Sequence, residues 1–148
     1  MAMYSGSRSG ITPNTANDNL TLTPASTRMV RFVEVFLGGE ATSSTVNRTA
    51  ISRTTTVGVT ATAQTPEQMN LSSVAAVSTL ATGWTTQPVI ATTPILIFAY
   101  NAFGGVVRWV AAPGQEIFLL STSTLGQLSN RNGSGTGVIS LHEVWEEM

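Results

Sequence analysis

Residues 94–121, PILIFAYNAFGGVVRWVAAPGQEIFLLS, decide the fold class of this chain. They contain three runs of aliphatic, β-branched and aromatic residues, separated by Gly-Gly and by Pro-Gly. Runs of this kind between turn residues predict β-strands, here at 94–100, 106–111 and 116–121. In Ala112-Pro113-Gly114-Gln115 the Pro and Gly hold the two central positions, which predicts a type II turn. The unbroken apolar run at 94–100 predicts a buried strand.

Strand signals continue on both sides of this stretch, at 20–22, 28–37, 46–63 and 138–146. Both faces of 28–37 are largely apolar, as expected for a strand that is covered on both sides. The polar run 46–63 is one long strand or two shorter ones broken near Gly58. About seven to nine short strands with at most one helix predict an all-β, single-domain fold over residues 20–148, a β-sandwich or a barrel.

Three segments are less regular. After Thr65-Pro66 the sequence allows either a short helix or a strand over 74–81. The Gly, Asn and Ser residues of 126–137 predict a loop. Residues 1–19 are mostly Ser, Gly, Thr and Asn, which predicts a flexible N-terminal arm. This arm is either a disordered tail or a segment that orders against a neighbouring subunit, with Tyr4 and Ile11 as its anchors.

The composition favours assembly. Only 10% of the residues are charged and the mean hydropathy is +0.18, so a free monomer would be poorly protected against association. We therefore expect identical copies or a partner to cover part of the surface. The net charge is −1 and the arginines are scattered, which argues against a nucleic-acid partner. No apolar stretch is long enough to predict a membrane span.

Catalytic residues are scarce. The chain has no lysine, no cysteine and a single histidine, His142, whereas acid–base and covalent catalysis draw mainly on these residue types. The segment His142-Glu143-Val144-Trp145-Glu146 has a Glu where the HExxH zinc motif has its second His, so it offers at most two ligands. The sequence has no Gly-x-Ser-x-Gly motif, which would mark a nucleophilic serine. It also gives no indication that two acidic residues lie together as a catalytic pair. We expect no enzymatic activity, no metal and no cofactor.

Three tryptophans, Trp84, Trp109 and Trp145, have two interpretations. They fill a core or a subunit interface, as aromatic residues in strands usually do, or they form a stacking platform for a glycan. The second interpretation implies a glycan- or receptor-binding module, and it is kept as the alternative function.

The C-terminal half resembles a known group of proteins. The order of LATGWTTQP at 80–88, GVVRW at 105–109, APGQEI at 112–117 and the ending VWEE at 144–147, together with the strand at 28–39, is similar to small structural proteins of tailed-phage head gene clusters. Among these, it resembles the head decoration, or capsid cement, proteins.

This resemblance implies a jelly-roll-like β-sandwich that assembles as a homotrimer. It implies a structural protein of the virion, made in the bacterial host cytoplasm, that binds the major capsid protein on the outer surface of the head and stabilises contacts between capsomers. The residues expected to bind partners are anchors in the arm and aromatic residues in the strands: Tyr4, Arg8, Ile11, Phe32, Phe36, Trp109 and Trp145.

Overall fold

A computed structural model describes residues 2–120 and 126–148. Within these residues the chain forms thirteen β-strands and no helix. The strands are β1 (Ala2–Ile11), β2 (Asp18–Thr23), β3 (Met29–Glu40), β4 (Val46–Thr56), β5 (Thr62–Gln64), β6 (Glu67–Gln68), β7 (Thr79–Thr82), β8 (Val89–Ile90), β9 (Leu96–Asn101), β10 (Phe103–Val110), β11 (Ile117–Leu120), β12 (Leu128–Ser134) and β13 (Ile139–Glu147). The all-β prediction is confirmed.

Two antiparallel sheets pack face to face as a β-sandwich. The first, sheet A, has the order β10-β3-β13-β1-β6, with β11 beside β10 along β3. The second, sheet B, has the order β5-β7-β2-β12-β4-β8, with β9 also paired to β4. Four strands lie side by side in each sheet, in the order β1-β13-β3-β10 in sheet A and β2-β12-β4-β9 in sheet B. Along the chain these eight strands alternate between the two sheets, except that β4 and β9 both lie in sheet B. This order of eight strands is like that of a jelly roll. The predicted β-sandwich is confirmed.

The core lies between the sheets. Leu20, Phe32, Leu37, Ile51 and Trp145 are completely or almost completely buried there. They alternate along their strands with outward-facing residues, since side chains of a β-strand point to opposite faces. The run at 28–37, which has apolar residues on both faces, corresponds to β3. One face of β3 points into the core and the other points outward, while β10 and β11 pair along one of its edges.

An insertion between β4 and β9 carries the short strands β5 to β8. Its strand β6 pairs with β1 of sheet A, and β7 pairs with β2 of sheet B. The insertion therefore extends both sheets on the same side of the sandwich. Gly6 makes this possible, because a Cβ there would lie 2.0 Å from Leu80 Cδ1 of β7.

The prediction of a flexible arm over residues 1–19 is wrong. Ala2–Ile11 is strand β1, which lies inside sheet A between β13 and β6. Its inward positions are Tyr4, Gly6 and Arg8. The sequence shows no alternation of apolar residues here, because Gly6 must lack a side chain for Leu80 to pack and Arg8 carries a charge.

The predicted loop at 126–137 is also wrong over most of its length, since Leu128–Ser134 is β12, a central strand of sheet B. Leu128 of this strand belongs to the core, whereas its inward side chains Asn130 and Asn132 are polar and have buried partners. Asn130 donates to Glu143 across the sandwich at 3.0 Å, and Asn132 Oδ1 accepts from Thr49 Oγ1 at 2.7 Å. A polar strand can be central when its buried polar groups are hydrogen-bonded.

The remaining strand predictions are mostly confirmed. The run 46–63 divides into β4 and β5, with Gly58 between them. Gln115 N donates to Ala112 O at 2.9 Å and Gly114 has φ 84°, as a type II turn requires. Of the two alternatives after Thr65, the helix does not form and the strand over 74–81 is confirmed only in part, by β7 (Thr79–Thr82). The prediction of a buried strand at 94–100 is wrong about its burial, because β9 is an edge strand with Ile97 exposed.

Candidate functional site

Four of the residues expected to bind partners lie in the hydrophobic core of the chain itself: Tyr4, Ile11, Phe32 and Trp145. The Tyr4 and Trp145 rings are 6.2 Å apart between centroids. Tyr4 also donates its hydroxyl to Val74 O of the insertion at 2.8 Å. Tyr4 and Ile11 are therefore not anchors for a partner, which corrects the prediction, and Phe32 and Trp145 contribute to the core.

The other three, Arg8, Phe36 and Trp109, are half-buried. Trp109 stacks against Phe32, with centroids 6.1 Å apart and an interplanar angle of 15°. Phe36 lies on the outer face of sheet A, in register with Arg108 on one side and His142 on the other. Only these three can take part in a surface.

An apolar surface follows the open edge of sheet A. Its members are five exposed side chains of β10 and β11, which we call the edge strip: Phe103, Val106, Val110, Phe118 and Leu120. Along β11 they alternate with the buried Ile117 and Leu119. Both strands pair only with β3 in the part of the chain that the structure describes. An open strand edge with apolar side chains favours association with another chain.

The charges near this strip are paired among themselves. Arg108 makes two hydrogen bonds to Glu34, at 2.8 and 3.2 Å. This guanidinium lowers the pKa of the Glu34 carboxyl. Arg31, on the outer face of β3, pairs with Glu116 and Glu146. The outer face of sheet A therefore carries little uncompensated charge beside the strip.

A second apolar surface lies in the insertion, on the opposite side of sheet A. It follows β6 and consists of four exposed residues, which we call the insertion patch: Met69, Leu71, Val74 and Val77. Leu71 is 92% exposed. The segment is held in place, since Met69 N donates to Met3 O and both Val77 N and Ser78 N donate to Glu147. The patch is thus built on ordered backbone contacts.

A polar cavity opens at another place, between β1, β2 and the insertion. Its volume is about 330 Å³. The side chains and loop residues that line it include Arg8, Asn14, Asn17, Thr82, Trp84 and Gln87. We call this cavity the Trp84 pocket. It combines an indole, a guanidinium and several carboxamides, and it differs from the apolar pockets that most small-molecule ligands occupy.

Buried contacts fix the Trp84 indole. Its Nε1 donates to Thr21 Oγ1 at 3.0 Å, and Thr21 Oγ1 donates in turn to Asp18 Oδ2 at 2.6 Å. The Asp18 carboxylate also accepts from Ser129 and from Arg131 Nε. On its face, the indole packs against Gly58, where a Cβ would lie 2.5 Å from Trp84 Cε3. The orientation of the ring is therefore set before any ligand arrives.

Arg8 spans the two sheets at this pocket. It starts from β1 in sheet A, and its Nη1 donates to Asn19 O of β2 and to Thr82 Oγ1 of β7 in sheet B. Partial burial lowers the pKa of this guanidinium. No carboxylate of the described residues pairs with it, whereas Arg31, Arg108 and Arg131 each have an acidic partner.

His142 lies on the outer face of sheet A, where its Nδ1 is 2.7 Å from Ser7 Oγ. This is a side-chain contact between neighbouring strands β13 and β1, at a registered pair. Within residues 2–120 and 126–148, no group of three or more His, Asp or Glu side chains is placed to hold a metal ion. The predictions of no enzymatic activity and no cofactor remain predictions.

Comparisons with known proteins give no relative. No family model, no curated protein and no solved structure matches this chain. Of the residues that the structure describes, none belong to a helix long and apolar enough to cross a membrane.

Sequence reasoning found Trp84 as one of three tryptophans but not its surroundings. The signal in the sequence is Gly58, which marks the break between β4 and β5 and also leaves room for the indole. The Trp84 indole packs directly against the backbone of Gly58. The contact between Arg8 and Thr82 joins residues far apart in the sequence, and no local pattern indicates it.

Proposed function

We propose that this chain is a capsid cement, or decoration, protein of a tailed phage. In this proposal it is a homotrimer on the outer surface of the virion head, made in the bacterial host cytoplasm, and it binds the major capsid protein without catalysing a reaction. The observation that carries the proposal is the presence of two unlike apolar surfaces, the edge strip and the insertion patch, at opposite sides of sheet A.

Two unlike surfaces favour a cyclic assembly. A two-fold dimer joins one patch to the same patch on its partner, whereas a ring joins one patch to a different patch on the next subunit. In a trimer, the edge strip of each subunit would contact the insertion patch of its neighbour. Both surfaces would then be covered, which also accounts for a chain with only 10% charged residues.

The mechanism of stabilisation would be mass action. A protein that binds the assembled shell and not its free subunits stabilises the shell by RT ln(1 + [L]/Kd) for each site. A trimer presents three identical shell-binding faces, so their combined affinity exceeds that of a single chain. In this proposal residues 2–11 are not a flexible arm that binds the shell, because Ala2–Ile11 is strand β1 of sheet A.

Co-sedimentation with phage heads tests the proposal. The protein should sediment with expanded heads and raise the temperature at which they release DNA, and it should not sediment with free major capsid protein. A protein that sediments with neither expanded heads nor any other shell state would contradict the cement function.

The alternative function is a glycan- or receptor-binding module of a head fibre or tail. The Trp84 pocket is the observation that favours it, because the pocket offers an oriented indole beside hydrogen-bonding side chains. A decoration protein can also carry such a pocket, so binding of a glycan there does not exclude capsid binding.

A further inference from the structure

We propose that the Trp84 pocket binds a saccharide that carries a carboxylate, such as a uronic acid or a sialic acid. This inference depends on the pocket and is independent of the capsid function, since neither the edge strip nor the insertion patch contributes to it. Its elements are the Trp84 ring, the Arg8 guanidinium and the carboxamides of the loop between β1 and β2.

The indole supplies the apolar contact that a sugar ring needs. One side of a pyranose exposes C–H groups, and these pack on an aromatic face. Trp84 is half-buried, with its Nε1–H already donated to Thr21 and one part of its face against Gly58. Since the ring is held before binding, little side-chain freedom is lost when a ligand stacks on it.

The carboxamides supply partners for hydroxyl groups. Asn14 lines the cavity, and its Oδ1 accepts from the backbone N–H groups of Ala16 and Asn17, which holds the side chain in place while its NH₂ group is not used in these contacts. The Asn17 side chain is exposed. An amide offers both a donor and an acceptor, as a sugar hydroxyl does, and little of the lining is aliphatic.

Arg8 is the reason to expect that the pocket prefers an acidic sugar to a neutral one. Both hydrogen bonds of Arg8 use Nη1, and the described residues provide no partner for Nε or Nη2. A guanidinium binds a carboxylate through two parallel hydrogen bonds. The buried acid beside the pocket, Asp18, is neutralised by Arg131 at 2.6 Å. The acid at the rim, Glu40, accepts from Gly10 N and is exposed, so water screens its charge more than that of Arg8.

Nuclear magnetic resonance of the whole protein tests this assignment. The ligands are the methyl glycosides of galacturonic, glucuronic and N-acetylneuraminic acids, and neutral methyl galactoside and methyl glucoside, each at millimolar concentration. The Trp84 Nε1–H signal should shift in a saturable way with at least one of the acids. That acid should bind about ten-fold more tightly than the neutral sugars at low salt, and the difference should shrink as salt is added.

Two variants locate the site. Trp84→Ala should abolish binding, and Arg8→Gln should lower the affinity for the acid to that of a neutral sugar. Trp109→Phe is the matched control, since Trp109 is also half-buried but lies on β10, outside the pocket. If none of the three acids shifts the Trp84 signal, or if neutral sugars bind as tightly in the wild-type protein, the proposal is overturned. The wild-type comparison decides this even if Arg8→Gln fails to fold.

Discussion

Asn130 Nδ2 donates a hydrogen bond to Glu143 Oε1 at 3.0 Å across the space between the two sheets. Asn130 belongs to β12 of sheet B and Glu143 to β13 of sheet A. Both are almost completely buried. Burial raises the pKa of Glu143 to about 7; the Asn130 hydrogen bond lowers it and the nearby charge of Asp18 raises it further. The centre of this sandwich therefore contains a titratable group.

The first prediction is that stability falls as the pH rises through this group. The pKa of Glu143 is about 7 in the folded protein and 4.5 for a free carboxyl, so the folded state prefers the protonated form. The stability that protonation contributes is complete below pH 4.5 and is lost as the pH rises to about 7. The loss is about 3 kcal/mol by linkage. Urea unfolding between pH 4 and pH 8 measures it.

Glu143→Gln keeps an acceptor for Asn130 and removes the charge. Its free energy of unfolding should be nearly independent of pH over the same range, and the variant should be more stable than the wild type at pH 8. Glu67→Gln, at an exposed glutamate of β6, is the control and should retain the wild-type slope. A Glu143→Gln protein with the wild-type pH dependence would show that another group is responsible.

The second prediction concerns the close packing of Gly6 against Leu80. Gly6→Ala places a Cβ 2.0 Å from the present position of Leu80 Cδ1, and Leu80 is 1% exposed and has little room to move. Overpacking of this kind costs about 1–3 kcal/mol. Thermal unfolding should detect the loss, while Ser9→Ala, on the exposed face of β1, should change the stability little.

A double variant identifies the cause. Leu80→Ala removes the atoms that the new methyl group meets, so the loss from Gly6→Ala should be much smaller in the Leu80→Ala background. Equal losses in the two backgrounds would mean that Gly6 acts through the flexibility of the unfolded chain and not through contact with Leu80.

The third prediction tests whether residues 2–11 are a strand of sheet A or a flexible arm. Deletion of residues 2–11 removes β1 from between β13 and β6, and with it the buried Tyr4 and Ile11. The shortened protein should lose cooperative unfolding, which circular dichroism during heating would reveal. A flexible arm could be removed without this effect, so an unchanged unfolding transition would contradict the placement of β1 in sheet A.

The sequence predicts the parts of this fold that depend on apolar residues. The strands at 28–37 and 138–146 are visible because their inward positions, such as Phe32 and Leu141, are apolar and β-forming. The turn at 112–115 is visible because the residue types fix its backbone angles.

Strands β1 and β12 cannot be predicted from the sequence, because several of their inward positions carry no apolar side chain. In β1 one inward position is Gly6, which admits Leu80 from a distant strand. In β12 the inward residues after Leu128 are Asn130 and Asn132, whose polar groups are satisfied by Glu143 and Thr49. Neither solution leaves a local pattern, since each depends on a partner from another part of the chain. The Trp84 pocket escapes for the same reason.

The measurement that tests the central proposal most directly is the mass of the protein in solution, by light scattering after size exclusion. The wild type should have three times the chain mass. Leu71→Glu, in the insertion patch, and Val106→Glu, in the edge strip, should each be monomeric, while Thr15→Glu, at an exposed loop position, should remain a trimer.

Mixing the two defective variants then decides how the surfaces meet. The edge strip of Leu71→Glu is intact, and so is the insertion patch of Val106→Glu, so the mixture should form a heterodimer through one intact interface. A head-to-tail ring predicts this result. A monomeric wild type, or a mixture that stays monomeric while the single variants do too, would contradict an assembly that joins the edge strip to the insertion patch.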